Sequence, residues 1–307
     1  MPSCCGLWDL YHVLVNLWGR RHCEVQLLDA VCMGRDKWLG GELGQDGCVY
    51  GIPGSASRVL KITPSTREVE LCGPEMTGKF KWLRGISLDG CIYGVPTNSA
   101  QVLQITCATG QVDLIGEVFK GDWKWHGGVY CPQDQSIYGI PCNAECVLKI
   151  SKGSVTTFAH DSPVLKGRCK WYGGLLGCDG CIYGIPNCAP SVLKIDPHSQ
   201  EVINIGPTFS QGGQKWHGGV VGKDGCIYGI PSHADAVLKI EPSTGSVRTI
   251  GQPIESGTLD IFGLVNGGRR SVGQRFEIWC AALSLEWLRN IYKHRSQIIK
   301  PELFGLL

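Results

Sequence analysis

The apolar positions of this chain recur in short alternating runs, not on a 3.6-residue period. In Cys226-Ile227-Tyr228-Gly229-Ile230, alternation puts Cys226, Tyr228 and Ile230 on one face of a strand. An Asp224-Gly225 turn precedes the run and Pro231 ends it. Upstream lies another run, Lys215-Trp216-His217-Gly218-Gly219-Val220-Val221. Downstream come Val237-Leu238-Lys239-Ile240, a turn carrying Pro242 and Thr244-Gly245, and a last run from Val247 to Ile250. The unit therefore predicts four short antiparallel strands joined by tight turns. No segment of it holds a helical period.

The same frame returns along the chain. It starts at Lys37-Trp38, Lys81-Trp82, Lys124-Trp125, Lys170-Trp171 and Lys215-Trp216, with Trp spacings of 44, 43, 46 and 45. Four strands per unit of about 45 residues is the pattern of a β-propeller blade. The ends extend the count. His12-Val13-Leu14-Val15-Asn16 resembles the third strand of the unit, and Glu24-Val25-Gln26-Leu27-Leu28 resembles the fourth. One period beyond Trp216 falls at Ile261, and Asp260-Ile261-Phe262-Gly263-Leu264-Val265 reads as a degenerate first strand. The expected fold is all-β: a six-bladed propeller over residues 3–268, with five complete blades and one shared by the two ends. A five-bladed ring with ragged flanks is the alternative.

Composition agrees with this frame. Charged residues are only 18% of the chain and Gly reaches 43 residues, which suits short strands and tight turns. The net charge of +2 gives no reason to expect nucleic acid or an acidic membrane as partner. The 17 cysteines do not read as a disulfide framework. Cys48, Cys91, Cys181 and Cys226 hold one equivalent position in four units, and Ser136 holds it in the third. Equivalent positions of neighbouring blades lie roughly 10 Å apart, beyond the ~7 Å Cα reach of a disulfide. They read as small buried strand residues. The N-terminal stretch is interrupted by Asp9, His12 and Asn16 and is a poor signal peptide, and no run of 18 apolar residues predicts a membrane span. A reduced, soluble, cytoplasmic protein is the expectation.

The stretch from Asp179 to Pro197 resembles the blades of a broad propeller group that includes NHL-type, gluconolactonase-like and quinoprotein-like repeats. The Trp, Asp-Gly and Tyr-Gly pattern is similar, more faintly, to five-bladed tachylectin-type lectins. The resemblance spans residues 12–266 and implies the propeller fold. It implies no single function, because propellers host enzymes, lectins and scaffolds.

In a propeller, the loops before the first strand and between the second and third strands open on one face. Trp38, Trp82, Trp125, Trp171 and Trp216 then form a ring. They are expected to pack between blades, the alternative being a stacking ring for sugars or flat ligands. Each preceding lysine is expected to point to water or to cover its Trp, the alternative being an anion-attracting ring. The residue after Trp varies: Leu39, Leu83, His126, Tyr172, His217. Scaffold positions repeat and ligand positions differ, so His126 and His217 are the leading polar candidates. The loops after Pro vary too, offering Asn98, Asn143, Glu145, His233 and Asp235. The binding-face candidates are thus Trp125, His126, Tyr172, Trp216, His217, Asn98, Asn143, Glu145, His233 and Asp235. Glu145 and Asp235 are the only carboxylates of the five loops, too few for the oxygen cage of calcium. Cys178-Asp179-Gly180-Cys181 has redox or zinc spacing but crosses a strand turn, with no second pair behind it. No metal, cofactor or catalytic residue is assigned. The Gly pairs, such as Gly173-Gly174, are expected to allow close packing near the axis.

Residues 269–307 leave the repeat. Trp279, Leu283, Trp287 and Ile291 fall at steps of four and predict a helix over 276–292, in a basic tail that carries Arg269, Arg270, Arg275, Arg289, Lys293 and Arg295. The helix is expected to lie on the propeller, with docking to a partner or a membrane surface as alternatives. No nucleophile, base and orienter recur at catalytic spacing. The functional expectation is a non-catalytic binding module serving as a protein-interaction scaffold. The alternatives are a lectin or small-ligand binder, and a metal-assisted hydrolase or lactonase.

Overall fold

The computed structural model describes residues 34–210 and 212–251. They form five four-stranded antiparallel sheets, each ordered by sequence. The first blade holds β1 (Trp38–Leu43), β2 (Val49–Pro53), β3 (Val59–Thr63) and β4 (Glu68–Cys72). The second holds β5 (Trp82–Leu88), β6 (Cys91–Pro96), β7 (Val102–Thr106) and β8 (Gln111–Ile115). The third holds β9 (Trp125–Cys131), β10 (Ser136–Pro141), β11 (Val147–Ser151) and β12 (Ser154–Phe158). The fourth holds β13 (Trp171–Leu176), β14 (Ile182–Pro186), β15 (Val192–Ile195) and β16 (Val202–Ile205). The fifth holds β17 (Trp216–Val221), β18 (Ile227–Pro231), β19 (Val237–Glu241) and β20 (Ser246–Ile250). The expected domain limits at 3 and 268, the end strands and the tail helix lie outside the described residues. No described helix is long and apolar enough to cross a membrane.

Local chemistry explains the frame. In the first, fourth and fifth blades, Asp46, Asp179 and Asp224 each accept the N–H two residues on, which closes the turn into the second strand. The second oxygen of each carboxylate takes the hydroxyl of the strand's tyrosine, at 2.8 Å for Tyr50, 2.8 Å for Tyr183 and 2.7 Å for Tyr228. The third-strand lysines Lys149, Lys194 and Lys239 reach Asp134, Asp179 and Asp224 at 2.8, 3.1 and 3.4 Å. These partly exposed groups tie turn to strand at modest energetic value.

The first strands pack in series: β1 on β5, β5 on β9, β9 on β13 and β13 on β17. The sheets therefore radiate with their first strands innermost. Among the described residues no comparable contact joins β17 to β1. The second strands of the first four blades are buried on both faces, β10 from Ser136 to Pro141 throughout, and β18 of the fifth is half-buried at Tyr228, Ile230 and Pro231. The alternation seen in the sequence thus separates two packed faces, not core from solvent. Blade-on-blade packing is the reason.

The repeated Trp is the largest buried group of each interface. Trp82, Trp125, Trp171 and Trp216 are at most 2% exposed. Each indole N–H is spent within its own blade, as in Trp125 to Cys146 O at 3.0 Å and Trp216 to Ala236 O at 2.8 Å. Packing between blades, as expected, is what they do. Cys48, Cys181 and Cys226 are buried as the strand reading requires and Ser136 fully so, whereas Cys91 is half-buried. All the described cysteines are free thiols.

The lysines need a correction. Lys81, Lys124, Lys170 and Lys215 are 3 to 6% exposed, so their ammonium groups do not point to water. Lys170 Nζ donates to Cys142 O, Ala144 O and Gly167 O at 2.8 to 3.0 Å. Lys81 does the same with Gly54 O, Ala56 O and Gly78 O. Lys81, Lys124 and Lys170 bind the entry loop of their blade to a loop of the blade before, and Lys215 Nζ donates within its own entry loop, to Ser210 O and Gly212 O. Burial pushes Lys124 and Lys170 down to about 8. The reason is that the donors on one flexible stem satisfy carbonyls that the loops would otherwise bury unpaired, three at Lys81 and Lys170 and two at Lys124 and Lys215. Coverage of the indole holds in part, since Lys170 Nζ also lies 5.8 Å from the Trp171 ring.

Candidate functional site

A bulge at the start of each first strand aims the varied residue after Trp. Trp125 pairs with Pro141 and Gly128 with Gly139, so His126 and Gly127 together oppose Ile140. The same offset occurs at Tyr172-Gly173 and His217-Gly218. Gly127, Gly173 and Gly218 take φ of 77, 74 and 67°, a region glycine enters without cost. The second glycine of each pair is needed for contact. A Cβ on Gly174 would come 2.6 Å from Ile140 Cδ1, and one on Gly128 2.8 Å from Ile86 Cδ1.

The bulges bring together three side chains from consecutive blades. His126 stacks on Tyr172 with centroids 4.1 Å apart and planes 6° from parallel. His217 stands edge-on to both, 5.0 Å from Tyr172 and 5.5 Å from His126. Trp123 lies nearly parallel to His126 at 6.2 Å, and Phe80 tilts against Trp123 at 5.6 Å. The result is an arc of five aromatic rings, running from the second blade to the fifth at the inner end of the entry loops. Burial, then the neighbouring His217, push His126 down to about 3, so its imidazole is neutral over the physiological range. Burial lowers His217 as well. Tyr172 is pushed well above the usual phenol range by burial, with the thiols of Cys142, Cys169 and Cys188 around it. Neutral rings of this kind can stack, accept and donate hydrogen bonds, but they carry no charge to attract an anion.

The other predicted residues are spread around this arc. Trp125 and Trp216 are buried, at 1% and 2% exposure, so neither ring lies open on this face as the rings of the arc do. Asn98 accepts the Trp123 N–H at 2.8 Å and donates to Lys79 O at 3.0 Å. Asn143 repeats this with Cys169 N–H at 2.7 Å and Asp122 O at 2.9 Å. Both are brackets between loops. Glu145 pairs with Lys166 at 2.6 Å, on a shallow cleft of about 260 Å³ that also touches Phe119 and Trp125. His233 meets Gln214 O at 3.2 Å through Nδ1, and Asp235 is exposed. No three His, Cys, Asp or Glu side chains among the described residues come together as a metal site.

Sequence reasoning missed Trp123 and Phe80. They share the position two before the repeated Trp, held by Asp36, Phe80, Trp123, Cys169 and Gln214, all at φ between 48 and 52°. Variation at a fixed frame position was the signal that singled out His126, and it was present here too. The shared left-handed backbone has a cause: this residue's carbonyl receives an N–H from the loop after Pro, as in Trp123 O from Asn143 at 2.8 Å.

Comparison with known proteins gives the fold. No family model and no curated protein sequence matches the chain. Solved structures do. A catalytically inactive virginiamycin B lyase from Staphylococcus aureus, with quinupristin, matches at TM-score 0.56 and 15% identity, over 73% of each chain. A streptogramin B lyase matches at 0.55 and 15%, over 72% of this chain and 70% of that one. Hydrazine synthase of Kuenenia stuttgartiensis matches at 0.50 and 16%, over 75% and 70%. The chain is a β-propeller protein.

Proposed function

We propose that this chain is a non-catalytic binding propeller, a protein-interaction scaffold in the cytoplasm that holds its partner on the face formed by the entry loops and the loops after Pro. The observation that carries the reading is a division of labour within the repeat. The constant residues, Lys and Trp, are spent on holding blades together. The varied residues, His126, Tyr172 and His217, emerge together on one face. A surface that differs from blade to blade on a constant frame suits recognition of one irregular partner. Free thiols throughout the described residues agree with a reducing compartment. The ring in this reading has six blades over residues 3–268, followed by a basic tail with a helix over 276–292.

The test is affinity capture from cell extract with quantitative mass spectrometry. The parent chain is compared with a variant carrying His126→Ala, His217→Ala and Asp235→Ala and matched in unfolding midpoint. Specific proteins held by the parent and lost by the variant support the reading. Equal capture by both removes it.

A second reading is a lectin or small-ligand binder, favoured by the parallel stack of Trp123, His126 and Tyr172. Its aromatic surface is this arc and not the repeated Trp. It predicts glycan-array or small-molecule binding that Tyr172→Ala abolishes. An enzyme reading draws on the lyase likeness alone: the inactive Staphylococcus aureus lyase carries a single histidine-to-alanine change, and neutral histidines also stand in this arc. Turnover of a streptogramin by the pure chain would favour it over the scaffold.

A further inference from the structure

The second blade departs from the others at the bulge. The position two after the repeated Trp holds Gly40, Arg84, Gly127, Gly173 and Gly218. Among the described blades Arg84 is therefore the one side chain at this place. Trp82 pairs with Pro96 and Gly85 with Gly94, so Leu83 and Arg84 together oppose Val95. Leu83 is turned inward at 6% exposure, and Arg84 is exposed. The place lies where neighbouring blades meet at their inner strands: a Cβ on Gly173 would come 3.6 Å from Gly218 Cα. A Cβ on Gly40 would likewise come 3.0 Å from Arg84 Cα and 3.6 Å from its Cγ, so the arginine stem starts against β1.

The guanidinium stands beside the arc with no carboxylate of its own. Arg84 forms no ion pair or hydrogen bond among the described residues, whereas Arg58 and Arg248 pair with Glu75 and Glu241. Its charge reaches the arc: burial first, then His217 and Arg84, hold the His126 imidazole down. The lysines of the frame add little charge here, since Lys81, Lys124, Lys170 and Lys215 are buried on carbonyl oxygens. What the mouth presents is thus a planar cation next to half-buried neutral rings. One guanidinium matches the single charge and two oxygens of a carboxylate. Rings such as His126, Tyr172 and His217 take a further ring by stacking or by edge contact.

We propose that Arg84 is the anion-recognising residue of this mouth, and that the protein partner presents to it a carboxylate beside an aromatic ring. The proposal rests on the scaffold reading above and names what that partner must carry. A protein segment fits better than a free small molecule, because every ring of the arc is half-buried on an open face, whereas a small ligand is mostly enclosed. Arginine and large aromatic residues are also the groups that most often anchor contacts between proteins.

The probes are N-acetyl-tryptophan and N-acetyl-tryptophan amide, which share a ring and differ by one charge, titrated against the full chain by ligand-observed NMR. The carboxylate is expected to bind at least about threefold more tightly than the amide. Arg84→Gln is expected to erase that preference, and Lys79→Gln, which removes an exposed charge from the same entry loop, to keep it. In affinity capture Arg84→Gln is expected to lose the proteins that the parent holds. A smaller preference, its survival in Arg84→Gln, its loss in Lys79→Gln, or retention of the captured proteins by Arg84→Gln overturns the proposal. Capture that depends on His126, His217 and Asp235 without any preference for the carboxylate would remove the proposal and leave the scaffold. A preference for the carboxylate with no such capture would remove the scaffold and its partner, and leave Arg84 as a carboxylate site.

Discussion

Trp171→Phe separates the two roles proposed for the repeated indole. Phe keeps an aromatic face, so a ligand-stacking ring would tolerate it. A scaffold Trp would not. Trp171 is 1% exposed and donates to Ser191 O at 2.9 Å, with Ser191 itself buried. Leaving that carbonyl without its donor costs about 1–3 kcal/mol. Trimming indole to phenyl removes roughly 40 Å³ inside a packed interface, worth about 1 kcal/mol at ~24 cal/mol per Å³. The expected loss is about 2–4 kcal/mol, a factor of roughly 30 to 1,000 in the folded-to-unfolded ratio. Urea unfolding followed by circular dichroism reads this as a lower midpoint at unchanged slope. A loss below about 0.5 kcal/mol, the scale of an ordinary surface change, would refute the scaffold role.

Further outcomes follow from the same geometry. His126 titrates near 3 when folded and near 6.5 when unfolded, so between those values the unfolded chain binds more protons and stability falls as pH is lowered. His126→Gln should flatten that part of the stability–pH curve by up to about 1.4 kcal/mol per pH unit, and an unchanged slope would contradict the neutral, half-buried imidazole. Gly174→Ala drives a Cβ to 2.6 Å from Ile140 Cδ1 and should cost about 1–3 kcal/mol in urea unfolding. Gly127→Ala meets no atom within 4 Å but keeps φ near 77°, so it should cost only about 1–2 kcal/mol, and a larger effect would mean that the bulge packs more tightly than described. Lys166→Ala removes an exposed ion pair with Glu145 and should leave the unfolding midpoint within experimental error.

The repeat made most of the architecture legible in the sequence. Strand starts at Trp, the Asp-Gly turns and the stops at Pro all stand where the pattern puts them, because each is decided by local backbone chemistry. The lysines were misread because their role depends on a loop of another blade, roughly 27 residues away in the chain. Nothing local distinguishes an ammonium that binds three carbonyls from one that faces water. For the site, variation at a fixed position singled out His126, Tyr172 and His217, whose rings meet in the structure, but their mutual stacking depends on how neighbouring blades are rotated. Trp123 escaped notice for a similar reason: its ring joins the arc through a left-handed backbone that a tryptophan does not advertise.

The most direct test of the binding face is hydrogen–deuterium exchange of the pure chain with and without its captured partner. The account predicts slowed exchange in the entry loops around residues 121–127, 167–173 and 212–218, which surround the aromatic arc. Protection confined to the opposite end of the blades, in the Asp-Gly turns near 46–47, 179–180 and 224–225, would contradict it.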